Sequence, residues 1–149
     1  MASDDVEARI ERLKNAFRAA GIKVTPQRVE IFREVVSSAD HPDAEAVFSG
    51  VRRRMSMVSL DTVYRTLSLL TELGLITTLG PRRESVRFDP TVEKHHHFEC
   101  AECGLVRDFQ SSELDALAIP TPVRNLGTVL GTQVHVTGIC SQCRRDRRK

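Results

Sequence analysis

Hydrophobic positions recur at helical spacing four times in the first half of the chain. Val6, Ile10, Leu13, Phe17 and Ala20 predict a helix over 5–20, stopped by Gly21. Thr25-Pro26 reads as an N-cap followed by proline at the first helical position, opening a second helix through Val29, Phe32 and Val36. His41-Pro42 breaks it, because a residue before proline is biased away from helical backbone. A third helix is expected from Asp43 to Met55, with Ala46, Val47 and Val51 on its apolar side. Ser59 caps a fourth, whose stripe is Leu60, Val63, Leu67 and Leu70 and whose end is marked by Gly74. The opposite face of this fourth helix shows Asp61, Tyr64, Arg65 and Ser68 to solvent.

After Gly74 the period changes. Leu75–Leu79 and Ser85–Phe88, joined across Gly80-Pro81-Arg82-Arg83, predict a two-stranded hairpin. Several helices followed by such a hairpin is the order of a winged helix-turn-helix. Residues 89–94 read as a hinge. Beyond them His95–Cys100, Leu105–Phe109 and Thr132–Ile139 read as strands, with short helical stretches between Ser112 and Leu130. The expectation is an α+β chain: a winged-helix domain over 1–88, the hinge over 89–94, and a small α+β domain over 95–149. No internal repeat or low-complexity tract interrupts this plan.

Composition adds limits. The chain has 149 residues and a formal net charge of only +2, so bulk charge does not argue for nucleic acid. Arginines cluster locally at Arg52–Arg54, at Arg82-Arg83 and in the tail from Arg144, runs that are usually solvated faces or ends. No apolar run approaches the roughly 18–20 residues that span a bilayer, and Met1–Asp5 is acidic with no signal-peptide core following it. A cytoplasmic location is expected, where thiols stay reduced.

That compartment changes the meaning of the cysteines. Cys100-x-x-Cys103 and Cys140-x-x-Cys143 use all four cysteines, two knuckles whose sulfurs can share one tetrahedral zinc. Four thiolates leave no open position, so the role is structural. Two short-range disulfides or idle thiols are the alternatives. A second constellation precedes the first knuckle: on a strand, His95 and His97 share a face while His96 points away. With Asp89, Asp108 and His41 they would make a nitrogen–oxygen site suited to Fe(II) or Mn(II). A triplet of histidines can also be a solvated edge.

Thr25-Pro26-Gln27-Arg28, Asp40-His41-Pro42, Thr62–Leu67, Gly74–Ile76, Arg87-Phe88-Asp89, His95–Cys100 and Cys140–Cys143 together resemble the ferric-uptake-regulator (Fur) family, over nearly the whole chain. The resemblance implies a homodimeric transcriptional repressor that binds double-stranded operator DNA, probing an A·T-rich inverted repeat, with the C-terminal α+β domain dimerising. It implies one structural zinc per subunit on Cys100, Cys103, Cys140 and Cys143. It also implies one regulatory Fe(II) or Mn(II) per subunit on His41, Asp89, His95, His97 and Asp108. Aspartate at 89 and 108 is similar to the peroxide-sensing branch, in which iron-dependent oxidation of a ligand histidine, here His41 or His95, releases DNA. The positions matching a further family metal site are Lys94, His96, Asp115 and Thr132, two of which are not expected to bind; His135 reads as an ordinary strand residue.

In this reading the fourth helix enters the major groove with Tyr64 and Arg65, Lys23 reaches an A·T-rich minor groove, and Arg28, Arg52 and Arg53 meet phosphates. The alternatives are a repressor that follows iron or manganese level without oxidation and, more remotely, a zinc hydrolase. A hydrolase would need a base at fixed offset, and no helical HExxH spacing occurs.

Overall fold

The computed structural model describes residues 2–82 and 85–147. It divides into two compact units, Met1–Val92 and Glu93–Lys149. Arg83 and Glu84 of the expected wing turn, and Arg148 and Lys149 of the basic tail, lie outside the described residues.

In the first unit α1 (Ala2–Ala19), α2 (Pro26–Ser37), α3 (Ala44–Arg52) and α4 (Leu60–Glu72) precede the hairpin β1 (Thr77–Arg82) and β2 (Ser85–Asp89). Three of these helices start at side-chain caps. Thr25, Asp43 and Ser59 accept from the backbone N–H of Arg28 at 3.3 Å, Ala46 at 2.8 Å and Thr62 at 3.1 Å, each satisfying a donor that the helix itself leaves orphaned. Gly21 and Gly74 both take φ of 68°, the left-handed turn that follows a helix end. One core joins all four helices and the hairpin: Ile10, Leu13, Phe17, Ile31, Phe32, Val35, Val47, Val51, Val63, Leu67, Leu70, Ile76 and Phe88 are its main members.

Several details depart from the periodicity. Ala20 lies beyond the end of α1 and is exposed. α2 buries Ile31, Phe32 and Val35, leaving the expected Val29 and Val36 as half-buried flanks. α3 ends at Arg52 rather than Met55, and Ala44 rather than Ala46 faces the core. The Asp43 cap sets that phase, placing Ala44, Val47 and Val51 on one side. Gly80, Pro81 and Arg82, expected in the turn, belong to β1. The pairing with β2 shifts register between Leu79 and Arg82, an irregularity that accommodates a proline without a ladder donor.

The second unit is a three-stranded sheet of order β4-β3-β5 with three short helices. β3 (His96–Cys100) is central; β4 (Val106–Phe109) pairs with it antiparallel and β5 (His135–Gly138) parallel. The parallel pairing needs a long crossover, which carries α5 (Ser112–Asp115) and α6 (Thr121–Arg124). β3 begins one residue later than expected, and β5 occupies only the later part of the expected 132–139. α7 (Ser141–Asp146), which the pattern did not announce, follows Cys140 as its cap.

The two units differ in how they are filled. Among the described residues, the buried hydrophobic ones of the second unit are Cys100, Val106 and Cys140, while Leu117, Val123, Leu126, Val129, Leu130 and Val136 are exposed. A unit with so little enclosed apolar surface needs another source of stability.

Candidate functional site

Sheet register assembles the cysteines. Cys100 ends β3 opposite Gly138 of β5, two residues before Cys140, so the parallel pairing brings one knuckle onto the other. Gly104, at φ of 72°, closes the first knuckle and donates to the Cys100 carbonyl at 2.9 Å. The Cys140 N–H donates to Cys100 Sγ at 3.3 Å, and Cys140 Sγ in turn accepts from the Cys143 N–H at 3.4 Å. All four sulfurs lie within 4.8 Å of one another, with Cys103 and Cys140 at 3.8 Å. Tetrahedral zinc with Zn–S of about 2.3 Å requires sulfurs about 3.8 Å apart, so the cluster fits the ion in donor type, number and spacing. Donation from the backbone N–H groups of Cys103 and Cys140 holds the Cys100 thiol down to about 6. The neighbouring sulfurs, Cys140 first, push the Cys143 thiol up. Four crowded thiols resist ionising together unless a cation is shared among them.

Each unit also carries imidazole and carboxylate groups. In the first unit the Phe88 N–H donates to the Pro42 carbonyl at 3.0 Å and Asp43 bridges Arg87, which lays the 41–43 segment along β2. His41 takes a left-handed φ of 51° in that segment. Its Nε2 lies 3.6 Å from Asp89 Oδ2, both groups being buried. Asp89 Oδ1 accepts from the Thr91 N–H at 2.8 Å, which orients the carboxylate.

In the second unit His95 and His97 do share a face. Their Nε2 atoms are 3.0 Å apart, and Asp108 Oδ1 lies 3.8 Å from the first and 3.3 Å from the second. His95 Nδ1–H donates to the Glu93 carbonyl at 2.6 Å, a tautomer that leaves Nε2 as the lone-pair donor, as a metal-ligating imidazole requires. Two nitrogens and a carboxylate oxygen at these separations match edges of a coordination shell with bonds of about 2.1 Å, which span about 3 Å.

His96 points the other way, as expected. Its Nδ1 accepts from the Val134 N–H at 3.1 Å and its Nε2 lies 3.2 Å from Asp115 Oδ1, with Lys94 Nζ 3.3 Å from the same oxygen. This group pins α5 and residue 134 to β3. His135 faces Glu99 at 3.0 Å.

The expected DNA residues all fall in the first unit. Tyr64 is half exposed and lines a hollow with Asp43, Glu45, Val86 and Phe88. Arg65 is exposed and bonded to Asp61 at 2.8 Å. Lys23 is exposed; its carbonyl accepts from Arg28 Nη1 at 2.6 Å, and the Arg28 guanidinium lies 5.8 Å over the Phe17 ring. Arg52 and Arg53 are exposed at the end of α3, with the Arg52 guanidinium 5.5 Å over the Phe48 ring.

A model of the Ferric uptake regulator family matches residues 19–125. This chain belongs to the ferric uptake regulator family. It is a metal-responsive transcription regulator and not an enzyme. The regulator is 27% identical over 143 residues to the peroxide-responsive repressor PerR of Staphylococcus epidermidis, covering 96% of this chain and 95% of that relative. Among solved structures, the ferric uptake regulator of Helicobacter pylori shares its fold at a TM-score of 0.74 and 22% identity, covering 93% of each chain. The ferric uptake regulator from Francisella tularensis with iron gives 0.69 at 28% identity, covering 83% of this chain and 96% of the other.

Three groups that the structure brings into these arrangements carry little or no signal in the sequence. Asp61 reads in the sequence as a solvent-facing residue, and its i,i+4 spacing to Arg65 is the signal of their pair. The Glu93 carbonyl and the Thr91 N–H are backbone groups, which leave no signature in a sequence.

Proposed function

We propose that this regulator is a peroxide-sensing repressor whose regulatory ion, Fe(II) or Mn(II), is held by His41 and Asp89 of the first unit and His95, His97 and Asp108 of the second. The observation that carries the reading is the pair of imidazole–aspartate arrangements, buried His41 with buried Asp89 and buried His97 with the exposed Asp108, at 3.6 and 3.3 Å. The naming of full-length relatives as peroxide-responsive repressors supports it. Cys100, Cys103, Cys140 and Cys143 would hold the structural zinc, one per subunit. Bound Fe(II) would activate peroxide beside its ligands, so that one oxygen atom enters a ligand imidazole, whose two electrons reduce the peroxide, and the other leaves as water.

His41 and His95 are the imidazoles proposed to take that oxygen. The Thr91 N–H orients Asp89 beside His41, and the Glu93 carbonyl orients His95. Oxidation of either ring weakens a nitrogen donor that the ion shares between the two units. Half-site spacing on duplex DNA is a geometric requirement, so loss of the tie between units lowers operator affinity. In the cytoplasm the regulator would bind an A·T-rich inverted repeat as a homodimer, the exposed Leu117, Leu126, Leu130 and Val136 supplying apolar surface for the second copy. α4 would present Tyr64 and Arg65 to the major groove, Lys23 would enter the minor groove, and Arg28, Arg52 and Arg53 would meet phosphates.

The test is to load the protein with Fe(II), add a small excess of peroxide, digest with trypsin and weigh the peptides. Glu34–Arg52 contains His41 and neither Met nor Cys, so an added oxygen there reports the imidazole. The expected result is iron-dependent oxygen on that peptide and on the His95 peptide, absent with Mn(II). Two unmodified peptides, with metal-dependent DNA binding retained, would leave a repressor that follows iron or manganese level.

A further inference from the structure

The face of α4 read above as meeting DNA is not uniformly basic. A cleft of about 230 Å³ lies between the start of α2 and α4, lined by Thr25, Gln27, Arg28, Thr62, Arg65 and Thr66. Its lining holds two guanidinium groups, three hydroxyls and a carboxamide, and no carboxylate. That is the donor chemistry of a phosphodiester seat. Arg28 is fixed there by the Lys23 carbonyl and the Phe17 ring, so one half of the seat is organised in advance. The other half is not. Arg65 is held at 2.8 Å by Asp61, one turn earlier on the same exposed face.

We propose that Asp61 is a specificity-setting competitor: it occupies Arg65 in the free regulator and must give it up when a backbone phosphate enters the cleft. The proposal rests on the reading of α4 as the DNA-facing helix. Its physical content is a difference between two kinds of DNA. Contact with phosphate carries no sequence information, so anything that weakens it lowers affinity for all duplexes alike. Asp61 cancels one positive charge where non-specific binding would use it, and repels a phosphate that is not steered into place by correct base contacts. A duplex whose register is fixed by Tyr64 and the minor-groove lysine brings its phosphate to the cleft and displaces Asp61. A random duplex has no such steering. The acidic residue thereby raises the ratio of specific to non-specific binding by suppressing the second.

The exposed ion pair is replaced most simply by Asp61→Asn, which keeps the size of the side chain and leaves the Ser59 cap intact. Binding of the zinc- and manganese-loaded full chain is measured against two 40-base-pair duplexes, one random and one enriched by the wild-type protein from a random pool, over a series of salt concentrations. For Asp61→Asn the expected result is tighter binding to the random duplex, by up to about fivefold per subunit, the range of an exposed ion pair. The salt dependence should steepen by about 0.9 per subunit in log–log slope, because Arg65 then neutralises a phosphate unopposed. Discrimination between the duplexes should fall. Unchanged random-duplex affinity and slope, or weaker binding to both duplexes, would overturn the role of Asp61. Arg65→Ala separates the two levels of argument. If it weakens both duplexes while Asp61→Asn does nothing, α4 meets DNA and only the competitor idea fails. If Arg65→Ala is silent as well, with the fold intact by circular dichroism, the DNA-facing reading of α4 fails with it.

Discussion

Replacing Cys140 by serine should unfold the second unit and leave the first standing. The residue links the sheet to its cluster in three ways: Sγ lies 3.8 Å from Cys103, its N–H donates to Cys100 Sγ, and its Sγ caps the start of α7. Beyond the cysteines, Val106 is the buried aliphatic residue of the unit among the described residues, and its burial contributes about 1.5–3 kcal/mol. A structural zinc contributes about 10–16 kcal/mol at neutral pH, severalfold more and comparable with the whole stability of an ordinary domain. Serine offers a hydroxyl that stays protonated at neutral pH, so the variant forfeits most of that binding energy. The assay is amide hydrogen exchange. In the wild-type protein the N–H groups of His97, Cys100 and Ala101, bonded to Val134, Leu105 and Gly138, should exchange slowly. In Cys140→Ser, or after chelation with zinc loss verified, they should exchange at unprotected rates, while Val63 and Leu75 of the first unit stay slow. Retained protection at those three amides would show that the sheet stands without the metal, and the argument from the sparse core would be wrong.

Two smaller perturbations probe the first unit. Ser59→Ala removes the acceptor of the Thr62 N–H, and should cost about 1 kcal/mol and lower the thermal midpoint of that unit by about 4–8 °C in scanning calorimetry. An unchanged midpoint would mean the cap is replaced by solvent. Gly50→Ala would bring a Cβ to 2.0 Å from Glu34 Oε1, forcing that carboxylate off Arg54, which it now meets at 2.6 Å. The flexible end of Glu34 can swing away, so the expected loss is about 1 kcal/mol or less in denaturant unfolding, and it should vanish in a Glu34→Ala background.

What could be read from sequence followed from local physics. Thr25 and Ser59 cap helices through side chains three residues from their partners, and Gly74 turns the chain with a backbone few other residues adopt. The paired cysteines were legible because zinc knuckles need a fixed short spacing. Long-range arrangements were not. β5 has four residues, too few for a period to emerge, and its parallel partner β3 is more than thirty positions away. α7 is started by a thiol cap and tied by the ion pair of Arg147 with Glu102, neither of which is a helix signal. The alternation of His95, His96 and His97 was predictable from the pleat, whereas the partner of His96, Asp115, arrives on a helix that only the crossover positions.

β3 concentrates these arrangements on very few residues. One face of the 95–97 run carries the His95 and His97 donors, the other carries the His96 pin, and the strand ends in the first cysteine of the zinc knuckle. Because neighbouring side chains alternate across a strand, one inserted or deleted residue here would reverse every assignment at once. The pin would turn toward Asp108, the donors toward Asp115, and Cys100 out of reach of its partners. Length changes in the crossover around 117–131 leave these assignments untouched and would be felt instead at the apolar surface proposed for the second copy. β3 must keep its count, and its length should drift far less than its composition.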